Sequence, residues 1–292
     1  MYVGVQGRIT RPQPLDYGIA CGLIAALCGR YAYLRRTVIG RSGLGREIPA
    51  VVLSADAPRE RVLMVSALGA QEWLTALLAL RLCEETCSHL RANLKLCDVS
   101  LARGLKGRQI WFVPLPNPDG AEIARYGSIA AGAYAAAAAR MGADIPGRWR
   151  GNAYGVNICS NFTAGREEMQ AFPRKNGEKS AIQPETAALC DLCRRVSFRH
   201  AVVLGCGGGI GWQAGEDPPP RSRMMAQVLS AVSGLPMGRA IGCGEFAAWF
   251  MRTYRRAALT IGIGDGAPPL PLREFEETYA ATREMLLLSL LF

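Results

Sequence analysis

The sequence predicts a single α/β domain with a central, twisted, mixed but mostly parallel sheet that carries helices on both faces. Short apolar runs typical of buried strands alternate with longer segments whose apolar residues recur at helical spacing. Strands that alternate with helices favour a largely parallel sheet covered on both sides. No internal repeat and no long linker divides the chain, so we expect one domain over residues 1–292.

The first half of the chain supplies two predicted helices and three predicted strands. Asp16–Arg30 predicts a helix with an aspartate near its start, and Glu72–Leu96 predicts a long amphipathic helix. The strands are predicted at Glu47–Ala55, Arg61–Leu68 and Gln109–Leu115. Pro116–Gly120 is a strong turn signal, and the alanine-rich Ala130–Met141 predicts a surface helix or turn.

The second half continues the alternation after a polar segment, Thr163–Ile182, that predicts an irregular loop. Helices are predicted at Pro184–Val196, Met224–Ser233, Phe246–Tyr254 and Pro271–Leu290. Strands are predicted at His200–Gly205 and Ala257–Ile263. The two halves together give the strand and helix alternation of one α/β domain.

Composition narrows the functional classes. The net charge is +10, but the arginines are scattered and form no basic run interleaved with aromatic residues, so nucleic-acid binding is not expected. Ten cysteines without a secretory signal pattern favour a reducing compartment, and we expect a cytoplasmic protein. The longest apolar run near the N-terminus, Ile19–Cys28, is too short for a membrane span.

Six sequence blocks follow one another in a recognisable order. They are IGRSGLGREI, SALGAQEW, VPLPNPDG, RWRGNAYGVNICSNF, PETAAL with VVLGCGGGIGW, and GEFAAWF with ALTIGIG. Together they resemble the zinc carboxypeptidase family over nearly the whole chain. The fourth and sixth blocks are most similar to the branch that cleaves γ-D-glutamyl–diamino-acid bonds in bacterial cell-wall peptides.

The resemblance implies metal-assisted amide hydrolysis, for which two histidines and a glutamate hold zinc and a second glutamate takes a proton from water. It assigns the two metal histidines to Gly69 and Gly205, the metal glutamate to Glu72 and the general base to Gly262. Only Glu72 of the ligand set is kept. Because a single carboxylate cannot hold zinc usefully, we expect that zinc is absent and that the active site is degenerate.

The substrate-binding positions differ from the family as well. The resemblance places the carboxylate-binding Asn and Arg at Cys159 and Ser160, and the aspartate that orients the first histidine at Asn157. An aspartate without its histidine would be an uncompensated charge, which neutral Asn157 avoids. Arg150 matches the oxyanion-stabilising arginine and is a candidate to bind a ligand carboxylate, while Glu72 is a candidate to contact a cationic group of a ligand or to stabilise the start of its helix. The favoured alternative without a ligand is an ion pair between Arg150 and Glu72 across the site.

Cysteines offer a possible replacement site. Cys159, Cys206 and Cys243 lie in blocks that border the family's cleft, and with Glu72 they form a candidate thiolate metal site. Simple burial of small side chains is the favoured interpretation. The only two histidines, His89 and His200, lie outside these blocks, and strand rise puts His200 roughly 16 Å from Gly205.

Three functions therefore remain open. The favoured one is a non-catalytic pseudopeptidase whose cleft still binds a peptide, such as a cell-wall stem peptide. The second is an active hydrolase with a rebuilt site that uses Cys159 or Cys206 as nucleophile or an unusual metal, although neither histidine is placed as a base. The third is a structural or assembly protein whose arginine-rich surfaces contact a protein partner.

Overall fold

The computed structural model describes residues 7–162, 182–215, 217–238 and 241–292. The strands are β1 (Leu34–Arg41), β2 (Glu47–Ser54), β3 (Glu60–Ser66), β4 (Lys95–Leu96), β5 (Val99–Ser100), β6 (Arg108–Val113), β7 (His200–Cys206), β8 (Gly209–Gly211) and β9 (Ala258–Ile263). The helices are α1 (Tyr17–Arg30), α2 (Trp73–Arg91), α3 (Leu101–Gly104), α4 (Pro118–Tyr126), α5 (Ala135–Arg140), α6 (Pro184–Arg195), α7 (Pro220–Ser233), α8 (Phe246–Tyr254) and α9 (Phe275–Leu291). Short 3₁₀ turns cover Ser128–Tyr134, Ile158–Ser160 and Leu272–Glu274.

Seven strands form one mixed sheet in the order β1-β2-β6-β3-β7-β9-β8. The central strands β6, β3, β7 and β9 are parallel, whereas β1 and β2 at one edge and β8 at the other join by antiparallel pairing. The small β4–β5 hairpin stands apart from this sheet. The predicted α/β fold with a mostly parallel sheet is therefore confirmed.

Successive residues of a strand point to opposite faces of the sheet, and in this fold both faces are buried. In β3, Val62 and Met64 join a core that includes residues of α1, α2, α7 and α9. Leu63 and Val65 join a second core on the other face, which is covered by α6 and α8. The layers therefore follow from the sequence pattern of near-continuous apolar strands.

A smaller cluster lies beside the carboxyl ends of the central strands and positions the cleft. Asn117 caps α4 by accepting the N–H of Gly120, and its side-chain amide donates to the carbonyl of Leu68 just after β3. Ala70 and Trp149 pack in this cluster, and the N–H of Ala70 donates to the carbonyl of Arg150 at 3.3 Å. These contacts hold the turn after β3 against the segment that carries Arg150.

The sequence did not predict β1, α4 or β8, nor the short α3, β4 and β5, and the helix predicted at Glu72–Leu96 ends at Arg91. β1 contains three arginines and few buried residues, α4 begins within the proline-rich turn signal, and β8 has only three residues, two of them glycine. The predicted helix at Met224 begins earlier, at Pro220, and the one predicted at Pro271 begins at Phe275 after a 3₁₀ turn. The predicted loop Thr163–Ile182 lies outside the described residues apart from Ile182.

Candidate functional site

A cleft opens at the carboxyl ends of β3 and β7, where ligand sites form in open α/β sheets. It comprises two adjoining cavities of about 310 and 200 Å³. Four residues line both of them: Glu72, Asn157, Cys159 and Cys206. The sequence placed all four at the site, and the structure brings them together.

The two glycines that the resemblance assigns to the metal histidines lie beside the carboxylate of Glu72, the third ligand position. A Cβ atom built on Gly69 would lie 3.0 Å from Cδ and 3.2 Å from Oε1 of Glu72. A Cβ built on Gly205 would lie 4.0 Å from the same Oε1. The Oε2 atom accepts the N–H of Gly69 at 3.0 Å, so Glu72 closes the turn that leads into α2.

Gly262, the position assigned to the general base, has no room for a side chain. A Cβ built there would lie 2.0 Å from the carbonyl oxygen of Gly207 and 2.8 Å from its carbon. The cause is β8, which folds back antiparallel on β9 so that Gly209 pairs with Gly262. Gly207 and Gly209 have φ values of +87° and +105°, which favour glycine. Backbone therefore occupies the space that a catalytic side chain would need.

The other predicted site residues line the cleft in different ways. The side chain of Asn157 makes a local hydrogen bond, in which its Oδ1 atom accepts the N–H of Cys159 at 3.1 Å. Arg150 is exposed and lines the larger cavity, whereas Ser160 lines the smaller one. Among the ion pairs of the described residues, none joins Arg150 to Glu72, so the expected pair across the site is not formed.

The two cleft cysteines are held as thiols. Burial raises the pKa of Cys206 to about 12; the charge of Glu72 acts in the same direction, and Arg150 opposes it. Burial, followed by the charges of Glu72 and Glu245, also raises the pKa of Cys159 well above its ordinary value. Cys243 is exposed and is not among the residues that line either cavity. The predicted group of three cysteines is therefore reduced to a pair.

Two polar residues of the cleft escaped sequence-based prediction as ligand contacts. The Oε1 atom of Gln71 and the Oγ1 atom of Thr260 are buried and have no hydrogen-bond partner within the described part of the chain. Gln71 lines the larger cavity and Thr260 the smaller. Thr260 could have been found from its spacing, because residues two apart on a strand face the same side and Gly262 follows it by two.

Comparison with known families gives the evolutionary context of this cleft. The family model described as "Zinc carboxypeptidase" matches residues 23–208, which include the turn at Gly69 and the strand that ends at Cys206. This chain belongs to the zinc carboxypeptidase family.

Its relatives agree with this membership. The γ-D-glutamyl-L-diamino acid endopeptidase 1 of Lysinibacillus sphaericus is 27% identical over 278 residues, which cover 91% of this chain and 70% of the relative. Carboxypeptidase A from Helicoverpa armigera has a similar fold with a TM-score of 0.68 and 15% identity, covering 97% of this chain and 75% of its own. Murein-tripeptide amidase MpaA from Escherichia coli O157 gives 0.54 and 20%, with coverages of 87% and 91%.

The residues present do not fit the zinc ion that the family implies. Two of the three ligand positions, Gly69 and Gly205, carry no side chain, and only Glu72 offers a donor. Throughout the described ranges, no group of three His, Cys, Asp or Glu side chains is arranged to hold a metal. His200 lies at the opposite end of β7, where Nε2 contacts the carbonyl oxygen of Ser289 at 2.8 Å.

The helices can be compared with the length and apolar content of a membrane span. None of those in the described ranges combines the length and the apolar content that a membrane-spanning segment needs.

Proposed function

We propose that this zinc carboxypeptidase family member no longer hydrolyses peptides and instead binds a peptide, of the cell-wall stem-peptide type, in the retained cleft. The observation that carries this proposal is the carbonyl of Gly207, which lies 2.0 Å from where a side chain at Gly262 would begin. A general base needs a side chain that reaches the attacking water. The loss of the base is therefore built into the backbone and goes beyond a single substitution.

The metal side of the site supports the same proposal. Hydrolytic zinc sites use three protein ligands and keep one position for water. The chain offers Glu72 alone at the three ligand positions. We therefore propose that the protein functions without zinc.

The cleft retains groups suited to holding a peptide. Arg150 is the cationic residue among the described residues that line the larger cavity, and it can bind a peptide carboxylate by charge-assisted hydrogen bonds. The unpartnered Oε1 of Gln71 can accept a hydrogen bond from a peptide N–H, and the unpartnered Oγ1 of Thr260 can accept one in the smaller cavity. The names of two relatives, a γ-D-glutamyl-L-diamino acid endopeptidase and a murein-tripeptide amidase, support a cell-wall peptide as the ligand.

A rebuilt cysteine hydrolase is less consistent with the geometry. A cysteine nucleophile reacts as the thiolate and needs a base within hydrogen-bond reach. The raised pKa values of Cys159 and Cys206 disfavour the thiolate. His200 lies five residues down β7 from Gly205, roughly 16 Å away by strand rise, and contacts Ser289.

A binding and hydrolysis experiment tests the proposal. The purified chain is titrated with a γ-D-glutamyl-L-diamino acid dipeptide by calorimetry, and the mixture is then assayed for cleavage. We expect binding without cleavage, and binding about tenfold weaker in Arg150→Met, because one charge-assisted contact is lost. Arg148→Met is the matched control, since Arg148 is also exposed but does not line either cavity.

Each outcome separates the three functions. Cleavage of the dipeptide would overturn the non-catalytic proposal. Absence of binding, or equal weakening in Arg150→Met and Arg148→Met, would favour an assembly protein with an arginine-rich surface for a protein partner. Binding that depends on Arg150 alone supports the peptide cleft.

We further propose a cytoplasmic location. All ten cysteines are free, and the pair nearest in sequence, Cys190 and Cys193, lies within α6. Free thiols persist in reducing compartments. Fractionation of the native host cell, with the protein detected by an antibody, tests the location, and recovery from the extracytoplasmic fraction would contradict it.

A further inference from the structure

At the amino-terminal ends of the central strands, away from the cleft, Arg108 and Arg199 share the carboxylate of Glu60, and the charges of both act on Arg221. Arg108 is the first residue of β6, Arg199 directly precedes β7, and Arg221 lies in the first turn of α7. β6 and β7 flank β3, whose first residue, Glu60, pairs in register with Arg108. At about 3.3 Å per residue, the start of β7 lies roughly 16 Å from Gly205, so this cluster is separate from the cleft.

Positive charge exceeds negative charge in this cluster. The Oε2 atom of Glu60 accepts a hydrogen bond from Arg108 Nη2 at 3.3 Å, and its Oε1 atom accepts one from Arg199. One carboxylate thus serves two guanidinium groups. Arg221 forms no ion pair within the described residues, and the charges that lower its pKa, after burial itself, are those of Arg199 and Arg108. Three arginines and one glutamate leave an excess of two positive charges.

Each of the three guanidinium groups has a donor without an acceptor. The Nε atoms of Arg108, Arg199 and Arg221 are all buried, and none has a hydrogen-bond partner in the part of the chain that the structure describes. Leaving a buried donor unpaired is costly. Three such donors on guanidinium groups whose charges interact indicate an acceptor that the described residues do not supply.

The surroundings add to the positive potential, and among the described residues Glu60 is the carboxylate that pairs with these arginines. The first turn of α7 contains no acidic residue and its start has no side-chain cap, so the positive end of the helix dipole adds to the field. His200, at the start of β7, is buried and neutral, because burial and the three arginines lower its pKa to about 4. Arg108 also donates to the carbonyl of Leu290 at 3.4 Å, which fixes its side chain against α9.

We propose that Arg108, Arg199 and Arg221 bind a phosphate group at the amino-terminal ends of these strands. The planar guanidinium group matches phosphate oxygens with paired N–H donors. Phosphate carries about one to two negative charges near neutral pH and can balance the excess positive charge of the arginines. One carboxylate carries a single negative charge and would leave part of this excess unbalanced. The group is either free inorganic phosphate or the phosphoryl group of a larger molecule.

Calorimetric titration of the full chain with inorganic phosphate, at constant ionic strength, tests the proposal. Arg221→Met is the informative variant, because Arg221 makes no ion pair with the described residues and its loss should leave the fold intact. We expect phosphate to bind at least about tenfold more weakly to this variant, since a charged hydrogen-bond donor is removed. Arg221→Lys keeps the charge without the planar fork and should give an intermediate affinity.

Arg273→Met is the matched control. It removes the same charge from a side chain that is 82% exposed near the start of α9, roughly 25 Å along the helix from Leu290. Equal affinity in all variants, equal weakening in Arg221→Met and Arg273→Met, or no binding by the parent protein would overturn the proposal. A second titration uses phenyl phosphate. Binding as tight as that of inorganic phosphate assigns the site to a phosphoryl group on a larger molecule, whereas no binding of phenyl phosphate assigns the site to free phosphate.

Discussion

Replacing Gly69 and Gly205 together with histidine should give this chain a zinc site. The two Cβ positions lie 3.0 Å and 4.0 Å from the nearest atoms of Glu72. Neither glycine has a positive φ, so the backbone at both positions accepts an L side chain. Two histidines and one glutamate form the ligand set of many hydrolytic zinc sites.

The size of the effect follows from ligand linkage. Zinc at about 100 times its Kd stabilises the folded state by about 2.7 kcal/mol, because it binds the folded chain in preference to the unfolded one. At about 2 °C per kcal/mol for a chain of this size, the Tm should rise by about 5 °C. Without zinc the double variant should lose about 1 kcal/mol, since a histidine at Gly69 displaces Glu72 from its hydrogen bond with the backbone.

The assay combines zinc titration by calorimetry with thermal unfolding, and the single variants Gly69→His and Gly205→His are the controls. Each single variant has only two ligands and should bind zinc far more weakly than the double variant. The double variant should still cleave no peptide, because the base position at Gly262 remains filled by the Gly207 carbonyl. A folded double variant that binds zinc no better than the single variants would refute the geometry proposed for the cleft.

Three further predictions concern stability and reactivity. Gly262→Ala should lower the free energy of unfolding, measured in urea, by about 3 kcal/mol because its methyl group overpacks against Gly207. Gly205→Ala should lower it by less than about 1 kcal/mol. Equal losses of stability in the two variants would contradict the crowding at Gly262. Because the folded pKa of His200 is lowered to about 4, its contribution to stability is complete above about pH 6.5 and is lost as the pH falls toward 4; it amounts to roughly 3 kcal/mol. Urea unfolding at several pH values should show this slope, and its persistence in His200→Gln would contradict the assignment. Iodoacetamide at pH 8 should label exposed Cys243 well before Cys206, whose pKa is about 12, and mass spectrometry that finds Cys206 labelled first would contradict the thiol assignment.

The fold was predictable where burial leaves a strong sequence signal. β3, β7 and β9 are near-continuous apolar runs, and all three were found within two residues of their observed ends. β1 was missed because only two of its eight residues are fully buried, so its pattern lacks the apolar run of the central strands. α4 was missed because Pro118 reads as a turn signal, although proline is also favoured in the first turn of a helix.

The site was predictable as a set of positions and unpredictable as a shape. The block order placed Gly69, Glu72 and Gly205 together, and strand pairing in the structure does bring them into contact range. The carbonyl of Gly207 over Gly262 depends on how β8 folds back on β9, which is a long-range pairing between short, glycine-rich segments with weak register signals. The arginine cluster likewise depends on strand starts that are far apart in sequence.

The central claim is that this member of the zinc carboxypeptidase family has lost its hydrolytic metal. Its most direct test is metal analysis by mass spectrometry of the purified full chain after incubation with equimolar zinc and gel filtration. We predict zinc far below one ion per chain, since only Glu72 remains of the ligand set. Retention of one zinc ion per chain would contradict the claim.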